Sequence, residues 1–173
     1  GGGLIIDGQI IAGVHGAGAE IGHIQVRDGE QEACNCGGHG CLEQVASATG
    51  IVREAKRNLA ASDETSTMRA FGDALSARDV CDCAKAGDPL AVKTIDTSMY
   101  YLGRALATIS MVADPEIYVI GGGVSRAGQY LIDLVKKHYV DYTPILTKKA
   151  DIVLATLGND AGIYGSAKLV LTN

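Results

Sequence analysis

Apolar and polar positions follow different rhythms along this chain, and the changes of rhythm divide it into elements. "LIIDGQIIAG" sets two short β-branched runs around Asp7-Gly8, a pattern that predicts a hairpin with a two-residue turn. Residues 14–33 are glycine-rich and aperiodic, which predicts an ordered loop or short strand and not a helix. From about Leu42 to about Ala61 the period becomes helical, with breaks. "ASDETSTMRAFGD" reads as a polar connection, after which Ser76 stands where an N-cap belongs for "ARDVCDCAKAG". Asp88-Pro89 opens a long helix to about Ala113, with proline in its first turn, and Asp114-Pro115 stops it.

The pattern then alternates. "EIYVI" predicts a buried strand, "GGGVS" a turn and "AGQYLIDLVKKHYV" an amphipathic helix. "DIVLAT" predicts a second buried strand, "LGND" a loop and "AGIYGSAKLVL" a closing helix. Strand, glycine turn, helix, strand, helix is α/β architecture with parallel strands. No internal repeat, low-complexity segment or flexible linker interrupts it.

Composition narrows the function. A chain of 173 residues with 47% hydrophobic positions can bury a core as one domain or two small ones. Fifteen basic against 20 acidic residues give a net charge of -5, which offers no footprint for nucleic acid. No apolar run is long enough to span a membrane, and no secretory signal is recognisable. Five cysteines is an odd number, so the expected compartment is reducing cytoplasm and a disulfide framework is not expected. Gly1, Gly2 and Gly3, directly before an apolar strand, look like the tail of a loop whose front half lies upstream. The chain is therefore expected to be part of a longer protein.

The candidate chemistry sits in "CNCGGHGCLE". Cys34, Cys36 and Cys41 supply three thiolates, and a closed tetrahedral zinc site needs a fourth ligand. His39, inside the loop, and His23, upstream in "EIGH", compete for that place, and spacing does not choose between them. Glycines 37, 38 and 40 allow the tight curl such a site requires. A set of free thiols is the alternative, but it leaves the cluster without a packing role. Cys81 and Cys83 differ: two apart on a helix, they read as small buried side chains.

"GAGAEIGHIQV", "CNCGGHGCLEQVAS" and "VIGGGVSRAG" together resemble the ROK family of bacterial sugar kinases and sugar-responsive repressors, nearest its glucokinase-type members. The likeness runs in order from the opening "GGG" to "GNDAGIYGSAKL". It implies the actin-like, ribonuclease-H-like ATPase fold of two α/β lobes, with residues 1–173 as the C-terminal lobe and a zinc loop within 20–43. It also implies His23, Cys34, Cys36 and Cys41 as zinc ligands, which removes His39, and Glu20, His23 and Glu43 as sugar contacts. Without the likeness, the two glutamates would read as solvated carboxylates.

The likeness further implies an adenosine-binding turn at Gly121, Gly122 and Gly123, and the end of a phosphate loop at Gly1, Gly2 and Gly3. Alone, a glycine triplet would read as a plain tight turn. The family's first lobe carries a "DxGxT" loop and an Asn-Asp pair whose Asp is the general base. Neither is expected in this chain, because "GND" at 158–160 matches the family's C-terminal pattern, so Asp160 is not that base and no catalytic residue is assigned here. The implied activity is transfer of a phosphoryl group from ATP, with magnesium, to a hexose, glucose above others, as in glycolysis. A homodimer or higher homo-oligomer is expected. The alternatives are the effector-binding half of a ROK transcriptional repressor and a bare zinc-binding interaction module.

Overall fold

The computed structural model describes residues 1–171. The hairpin forms as expected: β1 (Ile5–Ile6) pairs antiparallel with β2 (Gln9–Ile10), Ile5 opposite Ile10. Asp7 and Gly8 both take positive φ, 50° and 76°, the geometry of a two-residue turn that matches strand twist. Residues 14–33 hold no α-helix; they contain turns, one 3-10 turn at Ile21–His23 and the isolated bridge residues Gln25 and Ala33.

The helical stretch breaks at Ser47, between α1 (Glu43–Ala46) and α2 (Ala48–Ala60). Ser47 causes that break: its hydroxyl accepts from the Gly50 amide and donates to the Glu43 carbonyl. The segment read as a polar connection is more structured than expected. It contains a 3-10 stretch, Thr67–Ala74, anchored by fully buried Met68 and by Asp88, which accepts from Ser66 and Thr67. Ser76 forms a reciprocal capping box with Asp79 at the start of α3 (Ala77–Lys85). Cys81 and Cys83 are buried there in the core.

α4 (Pro89–Ala113) is the spine, and its 25 residues reach about 37 Å at 1.5 Å each. Its buried Leu90, Ala91, Ile95, Met99 and Leu106 recur at helical spacing, and α2, α3 and α5 (Gln129–Asp141) pack around it. Gly103 lets α5 approach closely, since a Cβ there would meet the Val135 carbonyl at 2.9 Å. Asp114 ends α4 in the left-handed conformation.

β3 (Ile117–Ile120) and β4 (Asp151–Leu154) pair in parallel on either side of α5. A Ser110 hydroxyl shared by Tyr118 and Tyr139, 2.9 Å from each, ties α4, β3 and α5 together. The two strands are not buried on both faces, as their sequences predicted. Tyr118, Ile120, Ile152 and Leu154 face the core, while Ile117 and Val119 remain 46% and 59% exposed. Among the described residues, helices cover only one side of this two-stranded sheet. α6 (Ala161–Leu171) follows, with Ile163 and Tyr164 exposed. Among the described residues no helix is long and apolar enough to cross a membrane.

Candidate functional site

The site is built on a short two-stranded ribbon. Leu42 donates to the Ile24 carbonyl at 2.9 Å, and the Val26 and Arg27 amides share the Gly40 carbonyl at 2.8 and 3.1 Å. Gln25 thus stands opposite Cys41. Gly40 is required here, because its φ is +74° and a Cβ would collide with the Arg27 carbonyl. Just beyond the ribbon, where one side runs out of the 3-10 turn and the other enters α1, His23 faces Glu43, with Nδ1 4.0 Å from Oε1. Both side chains are about one-third exposed, so the pair is open to a ligand.

The loop from Cys34 folds back through two further bonds, Gly37 N–H to the Cys34 carbonyl and Cys34 N–H to the Gly38 carbonyl, at 2.8 and 2.7 Å. Its return brings His23, Cys34, Cys36 and Cys41 together, one ligand atom from each within 4.8 Å of all the others. Cys36 and Cys41 sulfurs lie 3.6 Å apart, and Cys34 Sγ lies 3.6 Å from His23 Nδ1. A tetrahedron with metal–sulfur bonds of about 2.3 Å has edges of about 3.8 Å, so the donor set and its spacing fit a closed four-coordinate ion. His39 is exposed and is not among the four.

The thiols carry opposed electrostatics. Burial, then the neighbouring Cys36 and Cys34 thiols, push Cys41 up to about 12. The Gly38 amide, 3.4 Å from Sγ, pulls the exposed Cys36 down. For Cys34 the Cys36 amide pulls down, but burial and the Glu43 carboxylate, 3.0 Å away, prevail and raise it. A cation at the centre would reverse the two upward shifts, because it favours the thiolate over the thiol.

Glu20 is exposed at the start of the 3-10 turn that ends in His23, and its carbonyl accepts the His23 amide at 3.0 Å. Gly1 and Gly2 lie against the same turn, since Gly22 stands beside Gly1 and a Cβ on Gly2 would strike Ile21. Gly121, Gly122 and Gly123 are elsewhere, directly after β3, and no described hydrogen bond joins the two glycine groups. Gly122 has φ +78°, and nothing lies within 4 Å of a Cβ placed at Gly122 or Gly123. Backbone there is open at the carboxyl ends of parallel strands, where α/β sheets bind ligands. A cavity of about 420 Å³ between Asp114 and Lys149 lies at the opposite ends of the strands.

Several supporting residues escaped the sequence reading. Gln44 is buried and locks the loop, accepting from the Cys41 amide and donating to the Glu32 carbonyl at 3.1 and 3.0 Å. Arg27 and Arg57 grip Glu54 and Glu30 with two bonds each. The available signal was weak: Arg27 and Glu30, like Glu54 and Arg57, are three apart, but each strong pair joins residues 27 apart.

The ROK family profile matches residues 1–173. The chain belongs to the ROK family. A glucokinase of Halalkalibacterium halodurans is 43% identical over 173 residues, covering 98% of this chain and 52% of the relative. The crystal structure of a ROK family glucokinase from Streptomyces griseus, in complex with glucose and AMPPNP, superposes with a TM-score of 0.86 at 32% identity, covering 96% of this chain and 55% of that one. A ROK family transcriptional regulator, a homolog of the E.coli MLC protein, gives 0.75 at 33% identity, covering 88% and 38%. This ROK chain spans about half the length of the curated relatives it matches. Its mixed α/β structure has ROK sugar kinases, proteins of the actin-like ATPase class, as neighbours.

Proposed function

We propose that the chain is the C-terminal lobe of an ATP-dependent hexose kinase, converting glucose to glucose 6-phosphate. The observation that carries this reading is the end of the ribbon where His23 and Glu43 face each other, beside Glu20, in a chain similar to glucokinases over its whole length. Carboxylates accept hydrogen bonds from vicinal hydroxyls, and an imidazole offers one nitrogen to a metal and the other to a sugar oxygen. Glu20, His23 and Glu43 are accordingly the hexose contacts.

His23, Cys34, Cys36 and Cys41 would hold a structural zinc ion, a role supported by their mutual spacing. A bound ion would supply no step of the reaction; it would hold the ring of His23 and the start of α1 in place. Gly121, Gly122 and Gly123 would meet the nucleoside, and Gly1, Gly2 and Gly3 the phosphates of magnesium-bound ATP. The terminal hexose hydroxyl forms a bond to the γ-phosphorus, and the bond to the β-phosphate oxygen breaks. The hydroxyl proton passes to a carboxylate base in the other lobe. Catalysis is then mainly positioning and charge neutralisation between lobes. A homodimer or larger homo-oligomer in the cytoplasm completes the proposal.

The transcriptional regulator among the neighbours favours one second reading, the effector-binding half of a repressor. The open glycine turn after β3 favours the kinase, since a repressor has no need of nucleotide contacts. A coupled assay of ADP release from the full-length protein with glucose decides. Turnover by the full-length protein and none by residues 1–173 is expected. No turnover with any hexose, together with hexose-dependent release from DNA, would establish the repressor.

A further inference from the structure

Two forked ion pairs fasten the loop between His23 and Cys34 to α2, centred on different parts of it. They are cross-linked by Arg57 Nη1 to Glu54 Oε1 at 3.3 Å and Arg27 Nη1 to Glu30 Oε2 at 3.6 Å. Arg57 donates to both Glu30 oxygens at 2.7 Å, near the loop's middle. Arg27 donates to both Glu54 oxygens at 2.6 and 2.7 Å. Its guanidinium also lies 4.9 Å over the ring of Tyr101 on α4, with Nε 3.4 Å from the hydroxyl. The Arg27 and Glu54 side chains are only 17% and 8% exposed, so solvent screens this pair weakly.

Arg27, unlike Glu30, belongs to the ribbon itself, through its amide on the Gly40 carbonyl. The same ribbon sets His23 against Glu43. We propose that Arg27 is a positioning residue for the hexose: clamped between Glu54 and Tyr101, it fixes the ribbon that holds His23 and Glu43 at their mutual distance. The inference rests on the reading of those two residues as hexose contacts. Lysine cannot replace it, because an ammonium supplies neither the planar fork nor the stack on Tyr101.

The test uses the full-length protein with Arg27→Lys, Glu54→Gln and, as a matched control, Arg57→Lys. Arg57→Lys breaks a fork of the same geometry on the same helix whose main partner, Glu30, lies off the ribbon, and it shares with the Arg27 pair only the longer 3.3 Å contact to Glu54 Oε1. Calorimetry gives glucose and nucleotide dissociation constants, alongside zinc content and the thermal midpoint. Arg27→Lys and Glu54→Gln should raise the glucose constant about tenfold or more, as misplacement of binding groups does, with nucleotide binding and zinc unchanged. Arg57→Lys should lower the midpoint as much while leaving glucose binding within about twofold. Unchanged glucose binding in Arg27→Lys, or equal weakening in Arg57→Lys, overturns the positioning role alone. If Arg27→Lys and Glu54→Gln unfold while Arg57→Lys does not, the pair serves the fold and the proposal is again overturned. A wild type that binds no hexose overturns the functional reading along with it.

Discussion

Among single residues, the two histidines show what spacing can and cannot decide. Three cysteines in eight residues predict a metal loop, but which histidine joins them depends on where the chain returns. His39 sits inside the loop yet is exposed, whereas His23 is carried back beside Cys34 by the ribbon. Cys41→Ala should therefore lose zinc and hexose affinity together, and His39→Ala should lose neither. Elemental analysis and calorimetry on the full-length protein check both. Glu43→Gln keeps shape but gives up a charged acceptor, and should weaken hexose binding by roughly 1.5–3 kcal/mol with zinc retained. Normal hexose binding by a zinc-free Cys41→Ala would reduce the ion to a remote staple.

For elements, helix starts were the most legible feature and surroundings the least. Asp88-Pro89 announces α4, and Asp88 does cap it, accepting from Leu90 and Ala91 at 3.1 Å each. Its other carboxylate oxygen accepts from Ser66 and from both the amide and the hydroxyl of Thr67, at 2.6–2.8 Å. That second duty joins positions about twenty residues apart, so no local pattern could reveal it, and the 61–73 segment read as a polar connection. Burial pushes the Asp88 carboxyl up, but these bonds outweigh it and hold the carboxyl below the usual range. Asp88→Ala should cost about 2–4 kcal/mol, a lost cap plus orphaned donors. Ser76→Ala, at the exposed capping box of α3, should cost about 1 kcal/mol. Urea unfolding of the two variants measures the difference; equal losses would mean that Asp88 does no more than cap.

Across the whole molecule, hydrophobic runs told where strands lie but not how many of their faces are covered. "IYVI" is apolar on both faces and "DIVL" departs from that only at Asp151, yet α4 and α5 cover only one face, which leaves Ile117 and Val119 exposed. Charge pattern was still less informative. Only the fold brings the loop carboxylate of Glu30 under Arg57 of α2, with its side chain 2% exposed. The Arg57 fork, working against burial, lowers the Glu30 carboxyl to about 2. An unfolded glutamate titrates near ~4.3, so the pair's stabilisation is complete above that pH and disappears as pH falls through about 2. Urea midpoints of residues 1–173 should therefore fall in this window for the wild type, and less steeply for Glu30→Gln. Asp88, also depressed, is present in both proteins, so the difference between the curves isolates Glu30. Glu30→Gln should be the weaker protein at neutral pH, and the two curves should converge near pH 2. Parallel curves across the window would show that the fork is screened by solvent and adds nothing to acid resistance.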